Sequence, residues 1–202
     1  MSPGATAQVI VLAGPSGAGK SHLAARLGLP VLRLDDFYRD GDDPALPRLD
    51  LAGGDPIVDW DDPRSWSCDD ALAVLEQLCR AGHAAVPVYD IGASTRTGTR
   101  ELDLAGAAYV VAEGIFAHEV VEGCRSRGLL ADAVCVTQHP ALTFVRRLTR
   151  DLRERRKPPL VLLRRGLHLL LAQRGVVAEA QRHGCRVLSA DAAYRELRRL
   201  VD

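Results

Sequence analysis

Gly14-Pro15-Ser16-Gly17-Ala18-Gly19-Lys20-Ser21 follows the pattern G-x-x-x-x-G-K-[ST], in which a glycine-rich turn aims backbone N–H groups at a polyphosphate. Its flanks agree with that reading. Val9-Ile10-Val11-Leu12-Ala13 is the apolar run a buried parallel strand needs, and Ser21-His22-Leu23-Ala24-Ala25-Arg26-Leu27 has helical spacing until Gly28 ends it. The order strand, loop, helix separates a ligand-binding loop from an ordinary glycine turn. A triphosphate is the natural guest, with Lys20 reaching its terminal phosphates and Ser21 offering a hydroxyl to Mg²⁺.

Moving outward, Val31-Leu32-Arg33-Leu34 reads as a second strand ending in Asp35-Asp36-Phe37-Tyr38. Residues 35 to 62 hold ten aspartates with several prolines and glycines, the composition of a long irregular excursion. A helix is expected over Ser65 to Arg80, its acidic first turn suited to the helix dipole and Gly82 just past its end. Residues 84 to 90 are strand-like, Ile91 to Thr99 rich in turn formers, and residues 100 to 104 suit the return of a small hairpin.

Ala107 to Ala112 is a buried-type strand delivering Glu113-Gly114, followed by a helix over 117 to 126 and a core strand at Ala133 to Val136. Pro140 can start a helix that runs to about residue 156, where Pro158-Pro159 breaks it. A helix from about 160 to 181, a strand at Arg186-Val187-Leu188 and a helix from Ala192 to Leu200 complete the chain. This alternation predicts an α/β fold: a parallel sheet of about five strands, helices on both faces, ligands beyond the strands' carboxyl ends.

Composition narrows the function classes. The chain has 202 residues, 47% of them hydrophobic, which suits one core and one domain over residues 1–202. Net charge is zero, and the basic residues carry no aromatic interleaving, so neither nucleic acid nor membrane is an expected partner. The five cysteines are scattered and form no C-x-x-C pair, the usage of reduced buried thiols. The first residues lack a basic then apolar leader, and no apolar stretch approaches the roughly 18 residues of a membrane span, so a cytoplasmic location is expected. The sequence leaves oligomeric state open, and a homo-oligomer is compatible with it.

Phosphoryl transfer needs a group to take the acceptor's proton and charge to neutralise the transferring phosphate. Asp35, where the second strand meets its loop, is a candidate base or metal-water ligand; Asp36 is the other, and a plain turn-starting Asp is the alternative. Glu113 ends a central strand, where a carboxylate must face solvent, a ligand or a cation, or else cap a helix. Nine basic residues lie between Arg146 and Arg165 against Asp151 and Glu154, and Arg146, Arg150, Arg153 and Lys157 share one helix face beside Arg147. That stretch reads as a cationic lid over about 146–160, with a solvated helix face as its alternative. The six histidines are dispersed without metal-ligand spacing, so structural or surface roles are expected of them, and Trp60 and Trp66 are expected to pack.

With these segments in view, the chain resembles the uridine kinase family of P-loop phosphotransferases. Asp35-Asp36-Phe37-Tyr38 is similar to that family's D-x-F-Y segment, Asp59-Trp60-Asp61-Asp62-Pro63 to its aromatic-Asp-x-Pro element, and Pro87-Val88-Tyr89-Asp90 to P-x-Y-D. Val111-Ala112-Glu113-Gly114-Ile115-Phe116 resembles its E-G-I strand end, and Arg147-Leu148-Thr149-Arg150-Asp151 with Glu154-Arg155 its lid. The resemblance implies an ATP- and Mg²⁺-dependent kinase acting on the 5′-hydroxyl of a pyrimidine nucleoside. It implies Asp35, Lys20 and Arg150 for catalysis; Gly14, Ser16, Gly17, Ala18, Gly19, Lys20, Ser21, His22 and Arg155 for ATP; and Ser21, Asp35 and Glu113 for the metal. It implies Tyr38, Asp61, Tyr89, Arg147 and Arg150 for the acceptor, held by excursions at about 36–64 and 89–104.

Two departures stand out. Ser94 occupies the place of a histidine that reads the pyrimidine in uridine–cytidine kinases, and the lid runs Arg155-Arg156-Lys157-Pro158-Pro159 where the family has a glycine-bearing E-R-G-R. The alternatives are a kinase for another small hydroxyl metabolite and a nucleotide-dependent switch that has lost transfer.

Overall fold

The computed structural model describes residues 7–50, 56–138 and 175–202. The chain opens with β1 (Gln8–Ala13), α1 (Lys20–Leu27) and β2 (Val31–Arg33), then a 3₁₀ turn at Leu34–Phe37. Within the acidic excursion, β3 (Arg48–Leu49) and β4 (Ile57–Val58) form a minimal antiparallel pair. There follow α2 (Cys68–Ala81), β5 (His83–Asp90), β6 (Thr95–Asp103), β7 (Tyr109–Glu113), a 3₁₀ turn at Ala117–Glu119, α3 (Val120–Ser126) and β8 (Leu130–Thr137). The last described segment holds α4 (175–182), β9 (Arg186–Ser189) and α5 (Ala190–Val201).

Five strands form one parallel sheet in the order β2-β7-β1-β8-β9, as the alternating pattern predicts. Strand period two divides the core. Val9, Val11 and Ala13 face one layer with Leu75, Leu78, Val120, Cys124 and Ala180, whereas Ile10 and Leu12 face Leu23, Leu27, Ala193 and Leu197. Helices α2, α3 and α4 therefore cover one face and α1 and α5 the other. α2 starts where Ser67 accepts a hydrogen bond from Asp70 N and stops at Gly82, φ 81°, close to the predicted bounds.

The hairpin corrects the sequence reading. Its return begins at Thr95, so only Ile91–Ser94 form the turn, and β5 pairs with β6 along its whole length. Strands β5 and β6 stand apart from the parallel sheet and pack on its α2 side through Ala84 and Val86, which leaves Pro87 without a central-sheet role. Helix α3 begins at Val120, after the 3₁₀ turn, where a helix from 117 is expected. Among the described residues, no helix is long and apolar enough to cross a membrane. All five cysteines are free thiols, and burial pushes them up to about 11 or 12.

Candidate active site

The carboxyl ends of β1, β7 and β2 are neighbours in the sheet, and each delivers one functional segment. From β1 comes the phosphate loop. Gly14 has φ 129°, and a Cβ there would lie 2.3 Å from Val136 O, so only glycine lets the loop turn off the sheet against β8. Gly17 and Gly19 also have positive φ, and Gly19 caps α1 in the left-handed region. Lys20 is buried, and its ammonium donates to Gly14 O at 2.7 Å and Pro15 O at 3.2 Å, within the loop. Ser16, Gly17 and Ala18 line the same turn, and His22 is exposed on the first turn of α1.

From β7 comes Glu113, whose Oε1 accepts a hydrogen bond from Ser21 Oγ at 2.9 Å. From β2 comes Asp35, whose Oδ1 accepts from Ile115 N at 3.2 Å. A Cβ at Gly114 would sit 3.0 Å from that Oδ1 and 2.9 Å from Leu34 Cβ, so glycine is what lets the β7 end close against Asp35. Ser21, Glu113 and Asp35 thus gather at one end of the sheet, an all-oxygen set of the hard kind Mg²⁺ selects.

Asp36 points elsewhere. It is buried, accepts the Tyr89 backbone N–H, and burial raises its pKa above the ordinary carboxylate range against the opposing charge of Arg33. The two adjacent carboxylates therefore differ in kind: Asp35 borders the strand ends, and Asp36 pins the hairpin.

The side expected to meet the acceptor carries an aromatic cluster. Tyr38 lies 5.7 Å from Trp60, 5.8 Å from Tyr89 and 6.0 Å from Phe116, centroid to centroid. Trp60 thereby joins the site's aromatic surface, while Trp66 packs in the core and donates to Leu34 O at 2.6 Å. Tyr38 Oη donates to Trp60 O and Tyr89 Oη to Arg39 O. Burial, with the Asp40 charge nearby, holds the Tyr89 phenol above its ordinary range. Asp61 is exposed at the rim, its N–H bonded to Asp59.

Side chains strap the hairpin over this cluster. Asp40 Oδ1 accepts from Thr95 Oγ1 at 3.0 Å and Arg96 N at 2.6 Å; Arg96 reaches Tyr38 O at 3.3 Å and Asp70 at 2.9 Å. Ser94 stands at the turn with φ 52°, its carbonyl accepting from Gly41 N at 2.7 Å. Arg147, Arg150 and Arg155, with the expected lid, lie outside the described residues. Sequence reasoning gave Trp60, Phe116 and Arg96 no site role, because their contacts with Tyr38 are tertiary.

Residues 9–158 match the Phosphoribulokinase / Uridine kinase family. The chain is 32% identical over 158 residues to the Arabidopsis thaliana protein named inorganic pyrophosphatase TTM2, spanning 75% of this chain and 21% of that protein. It is 30% identical over 155 residues to a uridine kinase of Geobacillus kaustophilus, spanning 73% of this chain and 68% of that one. A crystal structure from Silicibacter sp. TM1040, carrying the name of a fructose transport system kinase, superposes with TM-score 0.60 at 17% identity over 92% of this chain and 88% of that one. The last likeness is one of fold. The chain spans about a fifth of the length of the plant relative it matches.

Proposed function

This chain belongs to the phosphoribulokinase/uridine kinase family, and from that premise we propose that it is an ATP-dependent kinase whose acceptor is the 5′-hydroxyl of a pyrimidine nucleoside. The observation that carries the chemistry is the 2.9 Å contact of Ser21 with Glu113, made beside Asp35 at the ends of adjacent strands. The phosphate loop's N–H groups and Lys20 hold the phosphates of ATP, and exchange of the Lys20 ammonium from the loop carbonyls to phosphate oxygens keeps its charge satisfied. Ser21 and Glu113 hold Mg²⁺, which when bound neutralises phosphate charge.

Asp35 accepts the proton of the attacking hydroxyl. The Ile115 N–H bond fixes one carboxylate oxygen and so orients the other toward the acceptor. Tyr38 and Tyr89 form the wall against which a flat base stacks, and Asp61 at the rim binds the ribose hydroxyls. Arg147 and Arg150 meet the acceptor and the transferring group, and Arg155 meets ATP.

A second reading, a kinase for another small hydroxyl compound, draws on Ser94: a short hydroxyl stands where an imidazole reads the base in uridine–cytidine kinases. ADP release from Mg-ATP tests both, with uridine, cytidine, other nucleosides, pantothenate and ribulose 5-phosphate each set against a no-acceptor control. Stimulation by uridine or cytidine supports the first reading, and stimulation by another acceptor alone the second. Hydrolysis that no acceptor stimulates counts against both.

A further inference from the structure

We propose that His118, Glu119 and His183 form a zinc site, distinct from the phosphate loop, that clamps the turn after β7 to the end of α4. One ligand atom from each of the three residues lies within 4.8 Å of the others. His118 Nε2 is 3.4 Å and His183 Nε2 4.0 Å from the same oxygen, Glu119 Oε1. A tetrahedral ion with bonds of about 2.0–2.1 Å has ligand atoms roughly 3.3–3.4 Å apart, a spacing the His118–Glu119 pair already has and that His183 reaches by moving inward.

The second observation is burial. His118 is 4% exposed; its Nδ1 makes no hydrogen bond among the described residues, and its Nε2 faces the Glu119 carboxylate at 3.4 Å. A buried imidazole so placed carries a desolvation cost that a metal bond would remove. Its ring lies edge to face with that of His183, 5.1 Å between centroids.

His183, Glu119 and Glu179 retain side-chain exposures of 27%, 26% and 34%, which gives an ion a path in and a water the fourth position. Glu179 Oε1 also lies 3.4 Å from His183 Nε2, so an ion there takes that nitrogen over from an existing ion pair. Two imidazoles and one carboxylate favour Zn²⁺ over the hard Mg²⁺ of the phosphate site. Cys68 adds no ligand: its Sγ–H donates to the Glu119 backbone carbonyl, and burial and the Glu119 charge raise its thiol to about 11.

The test is Zn²⁺ titration of the chelator-treated full chain in saturating Mg²⁺, read by calorimetry, with Co²⁺ absorption reporting tetrahedral coordination. One equivalent is expected, with Tm rising by about 5–10 °C at a hundredfold excess over Kd. His183→Gln, a change at a half-exposed position, should weaken Zn²⁺ more than about 100-fold, beyond the roughly 10–100-fold of an outer partner. Glu113→Gln should leave Zn²⁺ affinity unchanged. Absence of stoichiometric uptake, or uptake lost in Glu113→Gln and kept in His183→Gln, overturns the proposal and leaves an ion-pair cluster.

Discussion

The phosphate loop follows a strand hydrogen-bonded on both sides, whereas the proposed acceptor wall is a hairpin tied to a loop largely by side chains. At the first, β1 has parallel neighbours on both sides and Gly14 lies against Val136 O, so the loop's shape is set by strand pairing and by one close approach. At the second, β5 and β6 pair only with each other, and Asp40, Arg96, Asp36 and Tyr89 tie them down. Substitutions at the first region strike chemistry and fold together. If the proposed function holds, those at the second should move acceptor preference with little loss of stability.

The largest expected effect lies where the two regions meet. Asp35→Asn keeps the bond from Ile115 N through its amide oxygen and loses the base, so turnover should fall roughly 10²–10⁴-fold with KM for ATP nearly constant. Steady-state kinetics with the best acceptor measures this, and unchanged turnover would remove Asp35 from the mechanism. Gly14→Ala comes next and acts on the phosphate region alone. Its Cβ would overlap Val136 O at a φ of 129°, so a loss of roughly 2–4 kcal/mol, or about 5–15 °C in Tm, is expected with weakened ATP binding. A variant as stable as the parent would show that the loop is not held by that contact.

What was legible in the sequence follows the same division. The phosphate loop, Glu113 at its strand end and the five-stranded parallel sheet rest on local signals, namely a contiguous pattern, apolar runs and alternation with helices. Asp35 and Asp36 are neighbours that no local rule separates; their difference arises because one faces Gly114 and Ile115 while the other lies beneath Tyr89. The hairpin's length was hidden because Thr95, Thr97, Gly98 and Thr99 look like turn residues, yet a strand exposed along most of its length tolerates them. His183 gave no motif because packing, and not spacing, brings it to the adjacent pair His118 and Glu119.

Arg96→Ala sharpens the contrast from the acceptor side. It removes the reach to Tyr38 O and the surface pair with Asp70, worth about 0–1 kcal/mol, so Tm should scarcely move. If Tyr38 loosens by about 1 kcal/mol, acceptor KM rises roughly fivefold while KM for ATP stays put. A matched rise in both constants would mean the two regions are mechanically one.

The smallest effect is the most diagnostic of how the hairpin is held. Asp36 has a raised folded-state pKa, chiefly from burial and slightly from the neighbouring Asp35, opposed by Arg33, the Tyr89 N–H and Arg100. The folded state therefore holds a proton that the unfolded state has released between the ordinary aspartate pKa and the raised one. The Asp36 contribution to stability is greatest below the ordinary value and is lost as pH rises through the folded value, so at neutral pH the buried charge is a cost. Asp36→Asn keeps an oxygen for the Tyr89 N–H and removes that charge. Thermal unfolding at pH 7 should show Tm higher by a few degrees, about 2–4 °C per kcal/mol, with the gain shrinking as pH falls toward the ordinary aspartate range. A lower Tm at neutral pH would mean instead that the attraction of Arg33 and Arg100 outweighs desolvation, and that the hairpin is held by charge more than by its backbone bond.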